Sequence, residues 1–308
     1  VMLEYRYQKS KYLMNETINI THITHYSYDR AVTLGPQWIR LKPNGYDSNE
    51  LKSYTLNINP DPDYIDWFTD IYGNQIANVT FKEPTNELHI HVDICMLLNE
   101  KNLNTKNIDI SCQKYPFFYS YNERKKIHPY LGAPEPTPLF ESYCDELRMY
   151  DVDTLRLIDN VNKAVFNDID YIKRYEPGIY SPEEMLTYKK GCCRDMAWLL
   201  VSIFRKLGIA ARFVSGYSIR ENKSVPDSSE EIDLHAWCEV YIIGIGWLGL
   251  DATCGLFCNS MHIPLAAAAY PFATAPVEGV LSECESNFWV EMNFTRNSIS
   301  NLNQSIKG

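Results

Sequence analysis

Gly191-Cys192-Cys193-Arg194-Asp195-Met196-Ala197-Trp198-Leu199-Leu200-Val201-Ser202-Ile203-Phe204-Arg205-Lys206-Leu207-Gly208 is the most informative stretch of the chain. Met196, Leu200, Phe204 and Leu207 recur at helical spacing, with Ala197 and Val201 beside them, so the run predicts an amphipathic helix with one buried stripe. Gly208 suits a left-handed cap at its end. Cys193 then falls at the helix start, where unsatisfied backbone N–H groups and the helix dipole favour an anion. A thiol placed there is expected to lose its proton more readily, and the thiolate is the nucleophilic form of cysteine. The Cys193 N–H is a candidate oxyanion donor. Asp195, in the first turn, reads as a helix-stabilising carboxylate.

Downstream lie β-like runs at 211–219, 234–243 and 247–251, with a polar loop at 221–231 between the first two. A helix followed by sheet makes this half α+β. In His235-Ala236-Trp237-Cys238-Glu239-Val240-Tyr241, period-2 alternation puts His235, Trp237, Glu239 and Tyr241 on one strand face. Asp251 closes the run Gly246-Trp247-Leu248-Gly249-Leu250-Asp251, which can form a hairpin with the first through Gly244, Ile245 and Gly246. Cys193 as nucleophile, His235 as base and Asp251 as its orienter complete a constellation for acyl transfer. The register leaves a rival open. A hairpin centred on position 243 sets Asp251 opposite His235, whereas symmetry about Ile245 sets Glu239 opposite Asp251 and makes Glu239 a competing orienter.

Upstream, residues 18–98 read as short β runs broken by turns at Asn59-Pro60-Asp61-Pro62 and Tyr72-Gly73-Asn74, an antiparallel β domain. The segment from 99 to 142, with Pro134, Pro136 and Pro138, reads as an extended connector over a surface. Leu155, Ile158, Val161 and Val165 then predict an amphipathic helix ending near Phe166.

The 308 residues carry a formal charge of -10 without a basic run, so a phosphate backbone would be repelled and nucleic acid is not an expected partner. No apolar stretch is long enough for a membrane span, and no membrane partner is expected. Residues 1–14 are too tyrosine-rich and charged for a signal peptide and read as a tail, with Met14 a candidate start and a cytoplasmic location the default. Nine scattered cysteines suggest free thiols. Asn-x-Ser/Thr triplets at Asn15, Asn19, Asn78, Asn222, Asn293 and Asn303 carry no weight without a secretory signal.

Other residues have plainer readings. Cys192, Cys238, Cys254, Cys258 and Cys284 read as small buried hydrophobes. Cys192, Cys193, Cys254 and Cys258 make a poor zinc set, because adjacent cysteines chelate badly and the second pair has no partner at ligand spacing. His89 and His91 fit an exposed strand face, and His22 and His25 fit packing or surface roles. Arg212 and Tyr217 are assigned to packing or lining on a central sheet. No nucleotide, cofactor or calcium-loop motif is present, so no cofactor is expected.

Several of these segments together resemble a known family. Gly191 to Asp195 with Ala197, Leu207-Gly208-Ile209-Ala210-Ala211-Arg212-Phe213-Val214-Ser215-Gly216-Tyr217, His235-Ala236-Trp237 with Glu239, Gly246-Trp247 and Asp251-Ala252-Thr253 are similar to the core of bacterial transglutaminase-like proteins. Thr24-His25-Tyr26-Ser27-Tyr28-Asp29 and Arg40-Leu41-Lys42-Pro43 resemble the β domain that accompanies such cores, and Ala275-Pro276-Val277-Glu278-Gly279 resembles their closing segment. The resemblance implies a papain-like α+β fold, with the cysteine on a helix packed against an antiparallel sheet carrying the histidine and aspartate. Its division would be a tail at 1–14, an N-terminal β domain at 15–110, a connector at 111–148, a catalytic core at 149–262 and a closing segment at 263–308.

It maps the family nucleophile onto Cys193 rather than Cys192, and the histidine and aspartate onto His235 and Asp251. The activity implied is a thiol acyl hydrolase or acyltransferase acting on a peptide or protein substrate, as in cysteine proteases. The alternatives are transfer to amine acceptors, as in protein-glutamine transglutaminases, and a catalytically idle interaction module. Trp198 stands where a histidine is common, Ala252 replaces a usual proline, and Leu265 to Ala269 is an alanine run where charged residues are frequent. That run is expected near the cleft, where it would alter substrate choice.

Overall fold

Strict alternation of buried and part-exposed side chains along Ile18, Ile20, His22 and Thr24, and again along Leu88, Ile90, Val92, Ile94 and Met96, gives two long strands with one face each turned inward. In this computed structural model, which describes residues 16–44, 48–100, 104–221 and 230–297, they are β1 (Glu16–Val32) and β6 (Thr85–Leu98). Between them run β2 (Leu34–Ile39), β3 (Glu50–Asn59), β4 (Tyr64–Thr69) and β5 (Gln75–Thr80). The expected tail, most of the polar loop, and Asn15, Asn222 and Asn303 lie outside the described residues.

Two short pairings follow, β7 (Lys114–Tyr115) with β8 (Val152–Asp153) and β9 (Asp170–Tyr171) with β10 (Lys190–Gly191). The helices are α1 (Tyr121–Ile127), α2 (Pro138–Leu147), α3 (Thr154–Asp168), α4 (Pro182–Tyr188) and α5 (Cys193–Lys206). The chain ends in β11 (Ala211–Glu221), β12 (Glu230–Ile242), β13 (Gly246–Asp251), β14 (Leu256–Phe257), β15 (His262–Ala268), β16 (Val277–Leu281) and β17 (Ser286–Asn297).

Three sheets organise these strands. One runs β17-β1-β6-β3, a second β16-β2-β5-β4, and the third, five-stranded, β14-β13-β12-β11-β15. The pairings within them are antiparallel, as the α+β reading expected. The last two strands return to the first two sheets, so the N-terminal layers are completed from the far end of the chain. Ile20, Ile39, Val79 and Ile90 pack with Tyr217, Ile219, Ile263 and Leu265 in one apolar cluster, which joins these layers to the five-stranded sheet. His22 sits in that seam, fully buried, with Nδ1 2.8 Å from the Tyr217 hydroxyl and Nε2 2.7 Å from Thr24 Oγ1. Burial lowers its pKa to about 4, so it is neutral at the seam.

α5 packs on β12 and β11 of the five-stranded sheet, and its Met196, Leu200, Phe204 and Leu207 are buried as the stripe requires. Gly208 takes φ +82 to end the helix.

The extended connector is corrected. Pro138 occupies the first position of α2, where its missing N–H costs nothing, and Phe140, Tyr143 and Cys144 of that helix are buried. Tyr115, Phe117 and Tyr119 also enter the main core, with the Tyr119 hydroxyl donating to Tyr241 O at 2.6 Å. The prolines marked a helix start that their density obscured.

Candidate active site

Cys193 is the first residue of α5, and Cys192 is its extended N-cap. Asp195 reaches back to accept from the Cys192 N–H at 3.0 Å and from the Cys192 thiol at 2.9 Å. The same buried carboxylate pairs with Arg174 at 2.8 Å and accepts from the Tyr180 N–H at 2.9 Å. Burial alone would raise its pKa, but Arg174, the Cys192 thiol and the two N–H groups hold it below the usual carboxylate range. Asp195 therefore anchors the helix start in a fixed pose, a larger role than a first-turn charge.

The thiol of Cys193 behaves differently from expectation. The neighbouring Cys192 sulfur and burial push it well above the ordinary cysteine value, with Asp251 adding to the rise and the Ala236 N–H pulling the other way. The helix start was expected to lower it. Desolvation and a second sulfur outweigh the dipole here, so the resting group is a thiol that must hand its proton to a base.

His235 lies on β12 and Asp251 ends β13. Cys238 faces Leu250 and Ile242 faces Gly246, which centres the hairpin on Gly244, between the two registers weighed from sequence. His235 and Asp251 are then diagonal neighbours on one face, and His235 Nε2 meets Asp251 Oδ2 at 2.9 Å. Glu239, the rival, is committed elsewhere: it pairs with buried Arg212 at 2.6 Å and accepts from Trp237 Nε1 at 3.4 Å. With Nε2–H given to Asp251, Nδ1 is the nitrogen free to take a proton. It is buried and has no hydrogen-bond partner among the described residues.

Sequence reasoning missed His262. Its Nε2 lies 3.2 Å from the same Asp251 Oδ2, and its Nδ1 lies 3.3 Å from Asn259 Oδ1. Asp251 Oδ1 accepts from Thr253, from the N–H at 2.9 Å and from the hydroxyl at 2.7 Å. Burial would raise the Asp251 pKa, yet His235 and His262 hold it well below the ordinary range. A histidine opening the strand His262-Ile263-Pro264-Leu265 was the available signal, but nothing local ties it to Asp251.

His235, Asp251 and His262 bring three ligand atoms within 4.8 Å of one another. A metal held by all three would take Nε2 of His235 and of His262 in place of the two hydrogen bonds to Asp251, and with it the contact that orients the His235 imidazole. The other zinc set does not converge on this point. Cys258 packs with Val214, Trp237 and Ala267, while the Cys254 thiol donates to Asp251 O at 3.6 Å.

Cys193 and His235 line a cavity of about 790 Å³, together with Ile179, Trp198, Tyr270 and Phe272 among others. The alanine run expected near the cleft runs beside its wall without lining it, Ala266 and Ala268 pairing with the lining residues Ser215 and Phe213. Leu265 to Ala269 are all buried, and the cavity wall begins at the next residue, Tyr270. His91, read as part of an exposed strand face, lies 3.3 Å from Asp93, two residues on along the same face.

Comparison with known proteins gives consistent results. Residues 18–96 match the bacterial transglutaminase-like N-terminal region, and residues 142–252 match the transglutaminase-like superfamily. An uncharacterised protein of Mycobacterium tuberculosis is 22% identical over 282 residues, covering 89% of this chain and 90% of its own. Another, from Mycobacterium leprae, is 29% identical over 115 residues, 37% of this chain and 40% of its own. A Cytophaga hutchinsonii crystal structure, named as a candidate cysteine protease, superposes with a TM-score of 0.70 at 18% identity, over 92% of both chains.

Proposed function

Because this chain belongs to the transglutaminase-like superfamily, we propose that it is a thiol acyl hydrolase that cleaves peptide or amide bonds through a thioester on Cys193. One observation carries the reading. A half-buried cysteine at a helix start shares a cavity with a histidine whose Nδ1 is unpartnered and whose Nε2 is held by Asp251.

His235 Nδ1 takes the Cys193 proton as Sγ attacks the carbonyl carbon, and the Cys193 N–H receives the developing oxyanion. The imidazolium then gives that proton to the leaving amine as the C–N bond breaks, leaving the thioester. Asp251 fixes the tautomer and stabilises the charged imidazole. Water, deprotonated by the same nitrogen, releases the acid and restores the thiol. Hydrolysis is favoured over amine transfer because, among the described residues, the cavity wall holds no carboxylate but Glu278, which is shared with Arg40 at 3.0 Å.

The test is release of ammonia or new amines from a mixed library of glutamine-containing peptides and acyl amides, with Cys193→Ala beside the natural chain. Turnover that disappears in the variant supports the reading. Turnover that persists there overturns it. Faster incorporation of an added primary amine than release by water would make the protein a transferase instead.

A further inference from the structure

We propose that the cavity beside Cys193 is an aromatic acyl subsite, so that preferred substrates carry a bulky apolar side chain next to the carbonyl that Cys193 attacks. This rests on the reading of Cys193 as nucleophile and adds the substrate class.

Three aromatic residues form one wall. Tyr270 and Phe272 stack with centroids 5.9 Å apart and planes 13° apart, and Trp198 lies 6.2 Å from Tyr270. Phe272 is 73% exposed and Tyr270 44%, an amount of aromatic surface that water does not favour unless something covers it. The wall is braced from behind. The buried Arg205 guanidinium lies 5.5 Å from the Trp198 ring and 5.6 Å from Tyr270, and it donates to Ala211 O and Gly132 O at 3.0 and 3.1 Å. Trp198 and Tyr270 are therefore held in place before a ligand arrives, and Phe272 stacks on the second of them.

The polar side chains of the cavity point to the same class. Ser215 Oγ donates to Thr274 O at 2.6 Å, and Thr274 Oγ1 donates to Pro271 O at 2.8 Å. Arg194 Nε donates to Gly178 O at 3.0 Å, and Glu278 is paired with Arg40. A charged substrate side chain would be desolvated against groups that already make hydrogen bonds or an ion pair, whereas an aromatic one is desolvated at a gain. The volume of about 790 Å³ holds such a side chain with the flanking main chain.

N-acetyl-phenylalanine, N-acetyl-glycine and N-acetyl-aspartate chloromethyl ketones test the subsite, with the rate of Sγ alkylation at Cys193 read by mass spectrometry. The phenylalanine probe is expected to react roughly 30-fold faster than the glycine probe, and the aspartate probe slowest. Phe272→Ala and Tyr270→Ser should each cut the phenylalanine-to-glycine ratio about 5- to 10-fold. A ratio near one in the natural chain, or one unmoved in both variants, overturns the subsite while leaving the nucleophile in place. The amide library separates the two claims: if turnover persists in Cys193→Ala, the nucleophile reading falls. The subsite is then judged by NMR titration of the corresponding N-acetyl amides into Cys193→Ala. Preference for the phenylalanine amide supports it, and equal binding of all three overturns it.

Discussion

His262 and His235 meet on a single carboxylate oxygen, Oδ2 of Asp251, at 3.2 and 2.9 Å. Two histidines on one oxygen fix both the carboxylate and the imidazole that faces the cavity. His262→Phe should lower kcat roughly 10- to 100-fold with little change in KM, because it loosens the base without touching the substrate. Steady-state kinetics check the split between kcat and KM, and an unchanged kcat would reduce His262 to a packing residue.

Asp195 is wholly buried and Arg174 nearly so. Replacing the carboxylate by an amide leaves the guanidinium without its counter-charge. Asp195→Asn is expected to cost about 3–5 kcal/mol in a urea melt. A loss below about 1 kcal/mol would mean that the pair is solvated in the native state.

The seam histidine makes stability depend on pH. His22 titrates near 6.5 when unfolded and at about 4 when folded. Its contribution is complete above pH 6.5 and is lost as pH falls toward 4, because only the unfolded chain takes up the proton in that window. The slope is about 1.4 kcal/mol per pH unit from this one group. Urea melts at pH 7, 6 and 5 on the natural chain and His22→Asn should differ by close to one proton of uptake. Parallel curves would show His22 charged in the fold.

Gly216 faces His235 across β11 and β12, and Pro264 on its other side. A Cβ there would lie 2.2 Å from the Ile263 carbonyl oxygen and 2.6 Å from the Trp237 ring. Gly216→Ala should cost about 3 kcal/mol, because a main-chain oxygen must give way. Thermal melting measures it, and a native-like melting point would show that the edge strand β15 moves freely.

The helix of Cys193, the strands of His235 and Asp251 and the antiparallel character of the N-terminal layers could all be read from periodicity. Burial of one stripe and one strand face is a local matter that leaves a local pattern. The hairpin register was not legible, since Gly244, Ile245 and Gly246 allow three centres. Glu239 could be dismissed only once Arg212 was seen beside it. His262 and the Tyr270–Phe272 wall escaped because their partners lie at a distance in sequence, Asp251 for one and Arg205 for the other. The direction of the Cys193 shift was misjudged for a similar reason. The helix dipole follows from position alone, whereas desolvation depends on what packs around the thiol.

The pairing of β17 with β1 also sets an order of events during synthesis. β1 is made long before β17, and among the described residues its outer edge from Thr17 to Tyr28 is matched only by residues 286–297. A growing chain must therefore leave the ribosome with that edge unpaired until residues 286–297 have emerged. The early sheet is exposed to unwanted pairing throughout that interval. Chains that stop short of residue 286 would keep every residue of the proposed triad and still carry an open seam.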